Sequence, residues 1–184
     1  MPAPRGCGPG GVASSRGHSA SALHGVKWVD DKAPAQLLYQ HRRPPAGIHT
    51  WLDRVAGDEI VSIAGLPATT PARTAFDLAC RNPVGRAVAA IDALARTTRL
   101  DTAEVELLAD RYKGHRNVRR ARQALKLVDA GAESPRETWL RLLIVDAGYP
   151  KPADPDTGLR PIRRAGGDPR HGLGGHHPRR RVRG

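Results

Sequence analysis

The residues best suited to chemistry fall in three stretches. "AESPRETWLR" sets Glu133, Glu137 and Arg141 at i, i+4 and i+8, on or near one face of a helix. A carboxylate so placed could help hold a divalent metal. Nuclease chemistry, however, needs two or three acids around the metal and a group that activates water. Helix capping and surface Glu–Arg pairing account for the same spacing. "YKGHRNVRRARQ" puts Arg116, Arg119, Arg120 and Arg122 near the start of another helix. Guanidinium groups and free backbone N–H groups there could meet a phosphate. A solvated basic face, offset by Asp110, Asp129 and Glu133, explains the pattern equally. The third stretch is the end of the chain, where His171, His176 and His177 accompany arginines at 179–181 and 183. No Cys or carboxylate completes a coordination set, so no metal site is read there. Any arginine-rich tail would contact phosphate through counterion release, so this signal is weak.

Several elements must position these residues. "AQLLYQ" (35–40), "GIHTWL" (47–52) and "EIVSIA" (59–64) alternate apolar and polar residues between Pro, Gly and Asp signals, predicting strands of a small antiparallel sheet. The period then becomes helical. In "TTPARTAFDLA", Thr70 is a natural N-cap with Pro71 at the first helical position, and Arg73 and Asp77 stand four apart. "PVGRAVAAIDALAR" carries the stripe Val84, Val88, Ile91 and Leu94. "DTAEVELLADRY" opens with Asp101 three before Glu104, with Val105, Leu107 and Leu108 apolar. "NVRRARQALKLVDAG" predicts a helix over 117–131 that ends at Gly131. Finally, Ser134, Pro135 and Glu137 form a capping box before a helix whose apolar face is Leu140, Leu143, Ile144 and Ala147, stopped by Gly148 and Pro150.

Charge distribution restrains the functional reading. The chain has 184 residues and a formal charge of +12, with 39% hydrophobic and 4% aromatic residues. Residues 28–150 hold 18 basic and 15 acidic residues, a net of only +3, so most of the excess lies at the two ends. Net charge therefore does not argue that the folded part binds DNA. Cys7 and Cys80 have neither zinc-ligand nor disulfide-framework spacing. No apolar run approaches a membrane span and none follows Met1 as a secretory signal, so the cytoplasm is the expected location.

"GHSASALHGVKW", "GLPATTPARTAFDLA", "AVAAIDALAR" and "ESPRETWLRLLIVDAGYPKP" occur in that order. Over about residues 18–152 the chain resembles a group of actinobacterial proteins. Their N-terminal half is similar to AbiEi-type antitoxins, with a winged-helix start and a small α/β domain. Their C-terminal half resembles a very-short-patch-repair-like endonuclease of the PD-(D/E)xK superfamily. The resemblance implies that the "ESPRETWLR" helix opens the nuclease domain and that Glu137 supports its metal site. An intact member would be expected to use Mg²⁺. The family continues with "TQIPVYD", an aspartate in "DMGW" and "EYDG" followed by His-His, and none of these is present here.

That departure has a coding explanation. Synonymous codons for "DPDTGLR" (154–160), read one nucleotide later, give Thr-Gln-Ile-Pro-Val-Tyr-Asp, and the same offset in "RHGLGGHHPRRRVRG" permits Asp-Met-Gly-Trp-Glu-Asp-Ile-Ile-Arg-Val-Ala-Glu-Tyr-Glu. "GCGPGGVASSR" behaves similarly, though more loosely, in another frame. Both ends are rich in Arg, Gly and Pro, a composition that buries too little apolar surface to offset ordering entropy. The expectation is an α+β chain: a disordered, off-frame segment over 1–17, an antitoxin-like region over 18–131, the first helix of an incomplete restriction-endonuclease-like domain over 132–152, and a disordered off-frame tail over 153–184. As given, it would lack catalytic activity and need no metal or small-molecule cofactor. The alternative is a non-enzymatic DNA-binding or antitoxin-like regulator, with Arg116, Arg119, Arg120 and Arg141 as DNA contacts. The last helix, orphaned from its sheet, would favour self-association.

Overall fold

A computed structural model describes residues 13–39 and 43–149. Five short strands form one sheet: β1 (Ser14–Ser15), β2 (Ala35–Leu38), β3 (Ile48–Trp51), β4 (Ile60–Ile63) and β5 (Leu66–Thr69), in the order β3-β2-β1-β5-β4. Helix α1 (Gly17–Leu23) links the first two strands, and α2 (Pro71–Arg81), α3 (Val84–Thr98), α4 (Thr102–Arg111), α5 (Val118–Leu125) and α6 (Pro135–Asp146) follow the sheet. The class is α+β.

Two expectations about the sheet are corrected. It is mixed rather than antiparallel: β2 pairs parallel with β3, and β1 pairs parallel with β5. Disorder does not extend to Gly17. Ser14 and Ser15 form the central strand, hydrogen-bonded between β2 and β5, and Arg16 is almost wholly buried. Residues 14–17 are therefore part of this fold and not of a disordered N-terminal segment. The expected disorder of residues 1–12 and of the tail lies outside the described residues.

The strand predicted to reach Ala64 stops at Ile63, because Ala64 (φ 49°) and Gly65 (φ 80°) form the two-residue turn of a β4–β5 hairpin. Positive φ at both central positions gives the turn the hand that matches strand twist.

Helix α2 sits at the centre, buried from Ala72 to Cys80. Its start follows the sequence signal: the Thr70 hydroxyl accepts from the Arg73 amide at 3.2 Å. Phe76 and Leu78 pack with Val88, Ile91 and Leu94 of α3 and Val105 of α4, all fully or almost fully buried. Asp101 caps α4 by accepting from the Ala103 amide at 2.9 Å. Leu107, read as part of that helix's apolar set, faces solvent instead. α5 ends at Leu125, short of Gly131, and the chain turns back toward α6.

α6 packs on α3, but not through its leucine face. Thr138 and Arg141 are buried and Leu142 is half-buried against the core, while Leu140 and Leu143 are 60% and 65% exposed. Gly85 of α3 provides the seat for Trp139, since a Cβ there would stand 3.0 Å from the indole. Among the described residues nothing covers Leu140 and Leu143. The expected result is concentration-dependent self-association, which Leu143→Glu should reduce while changing stability by no more than about 0.5 kcal/mol. Sedimentation velocity across a concentration series checks this, and a wild-type chain that stays monomeric throughout would refute it.

Candidate functional site

Both side chains that a nuclease reading assigns to α6 hold the helix in place. The Ser134 hydroxyl accepts from the Glu137 amide at 3.4 Å, and the Glu137 carboxylate accepts from the Glu133 amide at 2.8 Å and the Ser134 hydroxyl at 3.1 Å. Glu137 is thus the N3 member of a cap, at the end of the helix where its charge also opposes the macrodipole. Arg141 is turned inward. Its guanidinium donates to the Asp92 carboxylate at 2.7 Å and to the Leu127 carbonyl at 2.6 Å. Asp92, on α3, also accepts from the Thr138 hydroxyl at 2.8 Å and the Asp129 amide at 2.7 Å. Burial raises the Asp92 carboxyl above the usual range, against the opposing effect of these donors. This buried carboxylate joins α3, α6 and the intervening loop. Among the described residues, no group of three or more His, Cys, Asp or Glu side chains is arranged to hold a metal ion.

The arginines at α5 divide into two pairs. Arg120 donates to the Cys80 carbonyl at 2.7 Å, and Asn117, held at φ 67°, donates its side-chain amide to the same oxygen at 3.0 Å. Together they satisfy a carbonyl at the C-terminal end of α2, where a cation is also favoured by the helix dipole. Arg122 pairs with Asp110 at 2.7 Å. Arg116 and Arg119 are exposed and, among the described residues, have no acidic partner. Of the four arginines expected to meet DNA, Arg116 and Arg119 therefore face solvent, whereas Arg120 and Arg141 bond to groups within the fold.

A larger cluster lies between the sheet and α2, and the sequence displayed only one of its pairs. Arg73, fully buried, bridges Glu59 at 2.8 Å and Asp77 at 3.2 Å. Its guanidinium also lies 4.8 Å from the centre of the Tyr112 ring, and the Tyr112 hydroxyl donates to Glu59 at 2.8 Å. Arg111 reaches Glu59 from α4 at 2.8 Å. Arg16 pairs with Asp77 and, at 2.6 Å, with Asp53, which also pairs with Arg81. Arg81 stacks over Trp51 of β3 with its guanidinium carbon 3.7 Å from the ring centre. Burial would raise the Asp53 carboxyl, but Arg16 and Arg81 hold it below the usual carboxylate range. The i, i+4 spacing of Arg73 and Asp77 was the only local signal. Arg16 and Asp53 are 37 residues apart and carry no mark of each other. The same surroundings push the Cys80 thiol up to about 12, chiefly by burial and then by the nearby Asp77 charge, which makes it a poor nucleophile.

Comparison with known families places this region. A family model of the AbiEi antitoxin C-terminal domain matches residues 13–127, from β1 to just past α5. The chain belongs to the AbiEi antitoxin C-terminal domain family. The buried cluster, from Arg16 to Tyr112, lies entirely inside the AbiEi-matching span, as do Arg116 and Arg119, whereas Glu137 and Arg141 lie beyond it. The chain is also similar to an uncharacterised protein of Mycobacterium tuberculosis strain H37Rv and to another of strain CDC 1551 / Oshkosh. Each is 33% identical over 135 residues, covering 73% of this chain. The chain spans about half, 49%, of the length of these curated relatives. No solved structure matches. Among the described residues, no helix is long and apolar enough to cross a membrane.

Proposed function

We propose that this AbiEi-type domain is a non-catalytic, antitoxin-like regulator that touches DNA through Arg116 and Arg119 at the start of α5. The observation that carries the non-catalytic part is the engagement of Glu137 and Arg141: one caps α6 and the other holds Asp92. Neither points a free functional group at a common site. Arg116 and Arg119 support the DNA contact, because they are exposed and without acidic partners among the described residues. Contacts of this kind position a protein on the phosphate backbone without reading sequence. They need no metal.

Salt dependence tests the contact. Each phosphate neutralised contributes about 0.9 to the slope of log K against log salt, so Arg116→Ala/Arg119→Ala should lower that slope by roughly two and weaken binding to unrelated duplexes alike. An unchanged slope contradicts the assignment. Binding lost on deletion of residues 153–184 while the double variant still binds would place the contact in the basic tail instead.

A second reading concerns the longer relatives. The chain covers about half their length, and the "ESPRETWLR" helix together with the two offset-frame motifs favours a related coding frame for a metal-dependent, endonuclease-like second domain. The nucleotide sequence across codons 150–184 decides it. Synonymous codons other than those giving Thr-Gln-Ile-Pro-Val-Tyr-Asp in the offset frame would remove its basis.

A further inference from the structure

The stretch "HGVKW" carries a side chain that the regulator reading leaves without a role. Trp28 is 61% exposed, although its loop is firmly held: Val26 is buried in the core and donates its amide to the Ser21 carbonyl at 3.1 Å, and the His24 ring bonds the Thr69 carbonyl at 2.8 Å. Beside the indole lies a cleft of about 360 Å³, walled by this loop on one side and the residues before α6 on the other, with α3 as its floor. That volume lies at the lower end of the range for ligand sites and suits a short segment rather than a whole domain. The floor is made by the small side chains of Ala89 and Ala93. Lys27 and Arg96 supply two cations, and Glu133 stands on the opposite wall, bonded to Arg96 at 3.1 Å. Both partners of that pair are well exposed, and exposed pairs contribute little to stability. A competing carboxylate can therefore exchange with Glu133.

We propose that this cleft receives a segment of a partner protein in which an acidic side chain neighbours an aromatic or aliphatic one. The apolar side chain lies on the alanine floor against the Trp28 indole, and the carboxylate takes Arg96 from Glu133 with Lys27 beside it. An exposed aromatic surface with an arginine beside it has the residue types that dominate binding energy in protein interfaces. A polyanion is the poorer fit, because Glu133 stands in the path of successive phosphates. The inference is independent of the DNA contact at Arg116 and Arg119.

The test is a ¹⁵N-resolved NMR titration of the full chain with a blocked eight-residue peptide of alternating aspartate and leucine. Its lysine-for-aspartate counterpart and an eight-nucleotide oligo-thymidine serve as comparison probes. The expected result is shifts of the Trp28 indole N–H and of amides in 25–28, 93–97 and 132–134 with the acidic peptide alone. Trp28→Ala and Arg96→Ala should each weaken binding roughly tenfold, with otherwise native spectra. Glu133→Gln should tighten it, a gain that a merely structural role would not produce. No shift at millimolar acidic peptide, equal shifts with the basic peptide, shifts with the oligonucleotide alone, or no tightening in Glu133→Gln would each overturn the proposal. Arg116→Ala/Arg119→Ala should bind the acidic peptide like the wild type, so failure of the DNA contact and failure of this one are separately visible.

Discussion

Replacing Arg73 with Met should cost this protein roughly 3 kcal/mol, the lower end of what breaking a buried ion pair removes. Arg73 has no solvent exposure and is the guanidinium that joins Glu59 to Asp77. Without it, two carboxylates remain under the sheet. The loss stays at the low end because Asp77 keeps Arg16, and Glu59 keeps Arg111 and Tyr112. Stability of the whole fold is on the order of 5–15 kcal/mol, so this is a large share of it. Thermal unfolding should move down by roughly 6–12 °C. Arg73→Lys should recover only part of the loss, since an ammonium cannot bridge two carboxylates as a planar fork does. An Arg73→Met protein that melts with the wild type would contradict the view that this cluster ties sheet to helix.

The same cluster sets an acid limit. Asp53 is held below its ordinary value of 3.8 in the folded protein. A carboxyl with a depressed folded pKa contributes stability that is present above the unfolded value and lost as pH falls through the folded one. Its share therefore begins to fall below about pH 3.8 and is lost as pH drops through the lower folded value, and Asp53→Asn should flatten the stability profile in that range while lowering stability at neutral pH.

The second large effect is at Asp92. Asp92→Ala removes the one acceptor shared by Thr138, Arg141 and the Asp129 amide, leaving the Arg141 guanidinium, only 10% exposed, without its carboxylate. The cost should again be about 3 kcal/mol, but concentrated at one place. Amide hydrogen exchange should show α6 losing protection while α2 to α5 keep theirs, since among the described residues Leu142 is the one hydrophobic side chain of α6 packed against the core cluster. Trp139, seated on Gly85, should shift its fluorescence toward that of a solvent-exposed indole. Uniform loss of protection across all helices would show that α6 is not a separable latch on α3.

Much of the helical half could be read directly, because caps and stripes are local. Thr70–Pro71 and Ser134–Pro135–Glu137 begin their helices where their side chains dictate, and Val88, Ile91 and Leu94 face the core as their spacing requires. The sheet was harder. β1 is only two residues long and owes its place to partners more than 20 residues away, and Pro67 inside β5 reads as a strand breaker. Parallel pairing of β2 with β3 leaves no mark in alternation, which is the same for either direction. At the candidate site, spacing alone could not separate Arg116 and Arg119 from Arg120 and Arg141. What distinguishes them is the presence of Cys80 and Asp92 beside the latter two, a fact of tertiary structure. Nor could spacing show that α6 would dock through Thr138 and Arg141 and leave its leucines outward.

Glu137 completes the cap of α6, and the proposed non-catalytic role leaves it no metal to serve. Incubation of supercoiled plasmid with this chain and Mg²⁺, using the wild type and Glu137→Gln, separates a capping role from a metal-supporting one. The expected result is no nicking by either protein, with Glu137→Gln close to wild type in thermal stability because glutamine also completes a capping box. Mg²⁺-dependent nicking by the wild type that vanishes in a normally folded Glu137→Gln would contradict it.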